Sequence, residues 1–184
     1  MSAIRDKIFT DIKNTSTTKS KIENVLNYEQ PTKYIVESTD YSENTLLTPV
    51  LTANKAFILG YIDENYEIYD KGDSIIFDDF TMDMKYVTFP YKVKSSAIKI
   101  LTSKNGFNLL YVYEYLQFLK LESGEHKRHY ISEIQSLPIP LVKTELQLKI
   151  GNILFTLDEK IRVEYAICNL LEKQKQFLLR KLFI

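Results

Sequence analysis

Between residues 34 and 101 the apolar positions fall in short runs broken by turn residues. This pattern predicts strands near 34–36, 50–52, 57–61, 67–69, 74–77, 86–89 and 97–101. Asn54, the 63–65 segment and Lys71-Gly72-Asp73 supply turns between them. Strands this short and this closely spaced suggest a small curled or barrel-like sheet. The period then changes. Leu109, Leu110, Val112, Tyr113, Leu116 and Leu119 form one apolar face, which predicts a helix over 108–121 ended by Ser123-Gly124. The expected fold class is α+β.

From Thr144 onward one long helical pattern runs through the remaining residues. Thr144-Glu145-Leu146-Gln147 has the form of a capping box. Alternating steps of four and three residues give Ile150, Leu154, Leu157, Ile161, Glu164, Cys168, Leu171, Lys175, Leu178 and Leu182. Eight of these ten positions are apolar, so the series reads as a coiled-coil seam. At 1.5 Å per residue the helix is about 60 Å long, more than a small domain can cover. It therefore calls for a partner helix. A bent helix lying across its own domain is the alternative.

The remaining segments are less regular. Residues 1–27 are polar, and Ile4, Ile8 and Ile12 suggest a short helix or arm. Leu137-Pro138-Ile139-Pro140 reads as a rigid extended linker. The expected division is an arm at 1–27, a domain at 28–142 and a long dimerisation helix at 143–184.

Composition narrows the function. The chain has 184 residues, one cysteine and equal numbers of acidic and basic residues. A disulfide-built scaffold and a uniformly basic protein are excluded. No apolar run is long enough to span a membrane, and no signal-like stretch opens the chain, so a cytoplasmic location is expected.

The zero net charge conceals a polarity. Eight acids lie between Asp63 and Asp83 with only Lys71 among them. The block 84–105 holds Lys85, Lys92, Lys94, Lys99 and Lys104 and no acid. Within it Lys92-Val93-Lys94-Ser95-Ser96 joins cations to hydroxyls, and Tyr86, Phe89 and Tyr91 add rings. Cations and hydroxyls are the groups that contact phosphate oxygens. The block reads either as a nucleic-acid footprint or as a solvated face whose lysines pair with the acids upstream. The basic loop Lys127-Arg128-His129 has the same two readings, contact or mere exposure.

Catalytic patterns are scarce. No glycine-rich phosphate loop and no Gly-x-Ser-x-Gly occurs. His126 and His129 have no further soft ligand for zinc. Asp83-Met84-Lys85, with Asp73, Asp78 and Asp79 upstream, carries a weak metal-dependent nuclease reading.

Several segments, in order, resemble the specificity subunit of type I restriction–modification systems. They are Gln30-Pro31-Thr32-Lys33-Tyr34-Ile35-Val36, the stretch from Pro49 to Tyr61, and the run from Ile75 through Lys85-Tyr86-Val87 to Ala97. Gly124-Glu125-His126-Lys127-Arg128-His129-Tyr130, Leu137-Pro138-Ile139-Pro140 and Leu178-Leu179-Arg180-Lys181-Leu182-Phe183 continue the likeness. The second proline usual after the Ile-Pro is missing from Leu141-Val142-Lys143.

The resemblance implies a target-recognition domain followed by a coiled-coil helix. It implies a non-catalytic subunit that reads double-stranded DNA for modification and restriction subunits, with S-adenosylmethionine, ATP and Mg²⁺ held by those partners alone. Such subunits normally carry two recognition domains and two long helices. One of each is found here, so the resemblance implies a half-subunit that forms a homodimer and reads an interrupted palindrome. The expected DNA contacts are Thr52, Asn54, Lys55, Thr81, Lys85, Tyr86, Lys92, Lys94, Ser95, Ser96, Lys127 and Arg128; no catalytic and no metal residues are expected. A specificity protein of a related type II system is the alternative, and an orphan fragment that exchanges specificity is another.

Overall fold

The computed structural model describes residues 2–54, 56–104, 106–122 and 130–182. Helix α1 (Ser2–Thr15) is followed by strand β1 (Lys19–Lys21), a helical turn α2 (Ile22–Val25) and β2 (Leu26–Glu29). A tight turn at Thr32–Tyr34 precedes β3 (Thr48–Leu51), β4 (Ile58–Ile62), β5 (Ser74–Asp78), β6 (Met84–Val87), β7 (Lys92–Val93) and β8 (Ile98–Ser103). Helix α3 (Leu109–Leu119), a wide turn at Tyr130–Ile134, β9 (Pro138–Pro140) and helix α4 (Thr144–Leu182) follow. The fold is α+β. Its sheets are open: β2-β8-β5-β6, β4-β3-β7 and the pair β1-β9.

The antiparallel sheet β2-β8-β5-β6 has two apolar faces because its strands alternate. Ile75, Phe77, Met84 and Leu101 pack with Phe9, Tyr111, Val112, Tyr115 and Leu116 of the helices. Ile76, Val87, Ile98 and Ile100 face Tyr34, Leu51, Tyr69, Tyr91 and Val93. The helical layer and the smaller sheet thus cover opposite sides of one central sheet. Most expected strands exist within a few residues of their expected ends. The expected strands at 34–36 and 67–69 reduce to single bridges, Ile35 to Val93 and Tyr69 to Tyr91.

Residues 2–27 are not a detached arm. Helix α1 buries Phe9 and Ile12, while Ile4 points to solvent. Phe9 meets the rings of Tyr111, Tyr115 and Phe118 at 5.4–5.6 Å. The expected proline linker is also a strand. β9 pairs antiparallel with β1, and the flanking bonds run from Ile22 N–H to Leu137 O and from Leu141 N–H to Thr18 O. Pro138 and Pro140 sit between those bonded positions, where a missing N–H costs nothing.

Helix α3 starts at the side chain of Asn108, which accepts a bond from Tyr111 N–H at 2.8 Å. It ends at Lys120, in the left-handed conformation, and so before the expected Ser123-Gly124 stop. The capping box at Thr144 does not close. Gln147 turns its amide elsewhere, accepting from Asn108 N–H at 3.0 Å and donating to Val142 O at 2.8 Å. One turn on, Gly151 lets α4 cross the start of α3: a Cβ there would lie 2.8 Å from Leu110 Cβ and from Asn108 Oδ1. Gln147, Ile150, Gly151 and Leu154 are the buried residues of α4. Its 39 residues make a rod of about 60 Å, of which the second half touches nothing in the body. Among the described residues no helix is long and apolar enough to cross a membrane.

Candidate nucleic-acid interface

Strand order brings distant segments of the chain together. β3 and β7 run parallel, with Leu51 opposite Val93, and Lys94 N–H donates to Leu51 O at 3.1 Å. The 52–57 loop therefore lies beside the 94–97 turn. On the other side of that turn, Asp79 N–H donates to Ala97 O at 3.0 Å, which places the 79–83 loop against it. Each loop is held by its own side chains. Asn54 Oδ1 accepts from Ala56 N–H at 3.0 Å. Asp78 Oδ1 accepts from Phe80 N–H at 2.9 Å and Thr81 N–H at 3.0 Å.

A buried ionic centre lies beneath these loops. Asp79 and Lys99 are 3.6 Å apart and almost fully enclosed. Asp79 Oδ1 accepts from Tyr130 N–H at 2.8 Å, and Lys99 Nζ donates to Ser96 O at 2.8 Å and Gln30 Oε1 at 3.4 Å. Tyr130, the residue that follows the basic segment, is thereby tied through Asp79 and Lys99 to the 94–97 turn. Thr81, Lys94, Ser95 and Ser96 belong to the two segments joined to this centre and Asn54 to the loop beside the 94–97 turn, all with exposed or half-buried side chains. Asp79 and Lys99 were not expected to organise the site, and only the opposite charge in the two blocks hinted at such a pair.

Three expected contact residues face inward. Lys92 is fully buried, its Nζ 2.5 Å from Glu64 and 4.4 Å above the Tyr66 ring. For Lys92 and Lys99 the pairing with upstream acids is what the fold realises. Thr52 is buried at the end of β3. Tyr86 packs against Tyr113 and Phe155 at 5.7 and 5.6 Å and donates its hydroxyl to Asp73 at 2.7 Å. Burial and that bond push the hydroxyl above the usual phenol range. Lys85, next to it on β6, is half-buried beside Phe57, Phe89 and Arg162 in a groove between the sheet and α4. Lys55, Lys127 and Arg128, with His126 and His129, lie outside the described residues.

The nuclease reading loses its geometry. Asp78 is spent on backbone N–H groups, Asp79 on Lys99 and Tyr130, and Asp73 on Tyr86. Among the described residues no three His, Cys, Asp or Glu side chains cluster to hold a metal.

The seam of α4 divides. Ile150 and Leu154 are buried against the body and belong to its core. At their level the exposed apolar residues are Leu146, Leu148 and Ile153. Leu157 is half-buried, and Ile161, Glu164, Cys168, Leu171, Lys175, Leu178 and Leu182 are exposed. Ten large apolar side chains from Ile161 to Leu182 are each 37–73% exposed, far more than a free surface helix carries.

The molecule is thus a small body that presents loops around an ionic centre, mounted on a helix built to be covered. Residues 7–173 match the family described as the type I restriction modification DNA specificity domain, and the chain belongs to that family. It is 49% identical over 123 residues to the specificity subunit of the type I restriction enzymes EcoR124I and EcoR124II of Escherichia coli, a match covering 64% of this chain and 30% of that one. The fold is similar to the S subunit of a type I restriction–modification system from M. genitalium, with a TM-score of 0.63 at 17% identity, over 87% of this chain and 45% of the other. It is also similar to the HsdS subunit of Thermoanaerobacter tengcongensis, with a TM-score of 0.56 at 14% identity, over 88% and 45%. The chain spans less than half the length of these relatives.

Proposed function

We propose that this chain is a non-catalytic DNA-recognition unit that reads one half-site and pairs with a second copy through α4 to read an interrupted palindrome. The observation that carries the reading is the convergence of the 79–83 and 94–97 segments on the Asp79–Lys99 pair, with the 52–57 loop beside the 94–97 turn, at the end of the central sheet where β5 turns into β6. Asn54, Thr81 and Ser96 supply groups that meet base edges, and Lys94 supplies one for phosphate. Chemistry would belong to partners in the cytoplasm: modification subunits with S-adenosylmethionine, and a restriction subunit with ATP and Mg²⁺.

The exposed helix supports these partners. Val163, Leu170 and Phe177 recur every seven residues on a flank of α4 well away from Ile161 and Leu182. One partner helix covers one seam, so the second apolar flank favours additional helices from another subunit.

Two outcomes are expected. Lys94→Ala weakens binding to all duplexes alike and lowers the salt slope by about one unit with little loss of stability. Exchanging residues 53–57 and 80–83 for those of another family member, with Thr52 and Asp79 kept, changes the base preference and leaves assembly intact. Selection of duplexes from a random pool, with light scattering on the same sample, tests the whole reading. The expected results are a dimer and a motif of two identical inverted halves separated by unspecified bases. A monomer at micromolar concentration, or a motif with unlike halves, would overturn it.

A further inference from the structure

The body grips α4 through a short stretch, and the last ionic grip comes from the other end of the sequence. Arg5 of α1 donates from Nε to Glu114 of α3 at 2.7 Å and from Nη2 to Asp158 of α4 at 2.5 Å. Their side-chain exposures are 11%, 0% and 38% in that order. The partners lie 109 and 153 residues away in sequence, so the cluster has no local role within α1. The guanidinium fork reaches two carboxylates on two helices at once, which a lysine ammonium on a flexible stem does not reproduce. Asp158 stands one turn beyond Leu154, the last fully buried residue of α4, and the next turns are open to solvent.

We propose that Arg5 is a positioning residue that fixes the direction in which α4 leaves the body, and through it the spacing at which two bodies engage DNA. This rests on the paired, DNA-reading function proposed above. Arg5 also precedes residue 7, where the match to the family begins.

Lever arithmetic gives the tie its importance. A seam centred midway between Cys168 and Leu171 lies about 17 Å from Asp158 along the helix. A swing of 10° at Asp158 then moves each body by about 3 Å, close to the ~3.4 Å rise of one base pair. Two bodies double the effect. A swing of that size in both copies is enough to blur spacing by a base pair or more.

The cleanest variant is Asp158→Asn. It releases α4 but leaves Arg5 on Glu114, so the buried carboxylate keeps its counter-charge. Duplexes carrying the selected half-sites are offered with the selected spacer and with spacers one and two base pairs shorter or longer. The parent dimer is expected to lose about tenfold in affinity for one base pair of change. Asp158→Asn and Arg5→Lys are expected to reduce that penalty to about two- to threefold. Their melting temperature, dimerisation and penalty for a half-site mismatch stay at parent values.

A second readout needs no DNA. Spin labels on Lys173→Cys, which is exposed on the side of α4 opposite the seam, and on Leu46→Cys, in a Cys168→Ser background and in dimers diluted with unlabelled chain, report the angle between body and helix. The distance distribution is narrow in the parent and broad in Asp158→Asn. An unchanged distribution, or an unchanged spacer profile in the variants, overturns the proposal. A parent chain that binds no interrupted palindrome overturns the functional reading instead, and the spin labels separate the two failures.

Discussion

A Lys92→Met variant loses about 3–5 kcal/mol of stability, the cost of leaving a buried charge without its partner. In a chain of this size that lowers the melting temperature by roughly 10 °C or more. Glu64 is almost as buried as Lys92 and sits 2.5 Å from it. Its other oxygen accepts from Glu37 N–H at 3.1 Å and Ser38 N–H at 3.2 Å. Lys92 thus secures the 37–67 region to the central body.

The pH dependence has a defined sign. Burial pushes the Glu64 carboxyl up, but the bonds from Lys92 and the two amides outweigh it and hold the group below the usual carboxylate range. A depressed acid stabilises the folded chain above its ordinary pKa, and that contribution fades as pH falls through the folded value. In Lys92→Met burial acts with less opposition, so Glu64 takes up its proton more readily. The stability gap between variant and parent should therefore narrow in acid. Melting curves at neutral pH and near the carboxylate range test this. A gap that is absent, or that widens in acid, would refute the assignment. Lys92→Met combined with Glu64→Gln should recover part of the loss.

The second large effect is on assembly. In an antiparallel pair of α4 helices Glu164 faces Lys175 of the other copy, and symmetry makes this contact twice. Either reversal, Glu164→Lys or Lys175→Glu, replaces two attractions by two repulsions. Exposed pairs contribute about 0.3–1 kcal/mol each, so a single reversal costs roughly 1–3 kcal/mol. That weakens the dimer roughly 5- to 150-fold. The double reversal should restore it. Lys175 also lies 3.6 Å from Glu172 of its own helix, which puts the expected loss at the lower end. Sedimentation across a concentration series reads the result. Equal dimer strength in all four proteins would show that the two residues do not meet.

The sequence discloses elements better than it discloses neighbours. The strands at 50–52, 74–77 and 97–101 were legible because alternation is a local property. Helix α3 was legible from its apolar face, although its left-handed end at Lys120 carries no glycine to announce it. Lys92 was misread because its burial depends on Glu64, 28 residues upstream, and on the parallel pairing of β3 with β7. Tyr86 was misread because Phe155, which covers it, belongs to a helix far along the chain. The apolar stripe of α4 was evident, but periodicity does not say that Ile150 and Leu154 turn inward while Leu146 and Ile153 remain outside. Arg5 gave no signal at all, since both its partners lie more than a hundred residues away.

The ionic centre beneath the loops has an evolutionary consequence. Asp79, Lys99 and the Tyr130 amide keep the loop bases in place from inside the body, while Asn54, Thr81 and Ser96 stand outside it. Substitutions at the outer positions are of the surface kind, usually within ±0.5 kcal/mol of neutral. On the reading proposed above, base preference can then drift one residue at a time without crossing an unstable intermediate. A lineage under pressure to change its DNA target would accumulate variation at the exposed loop positions and leave the buried pair untouched.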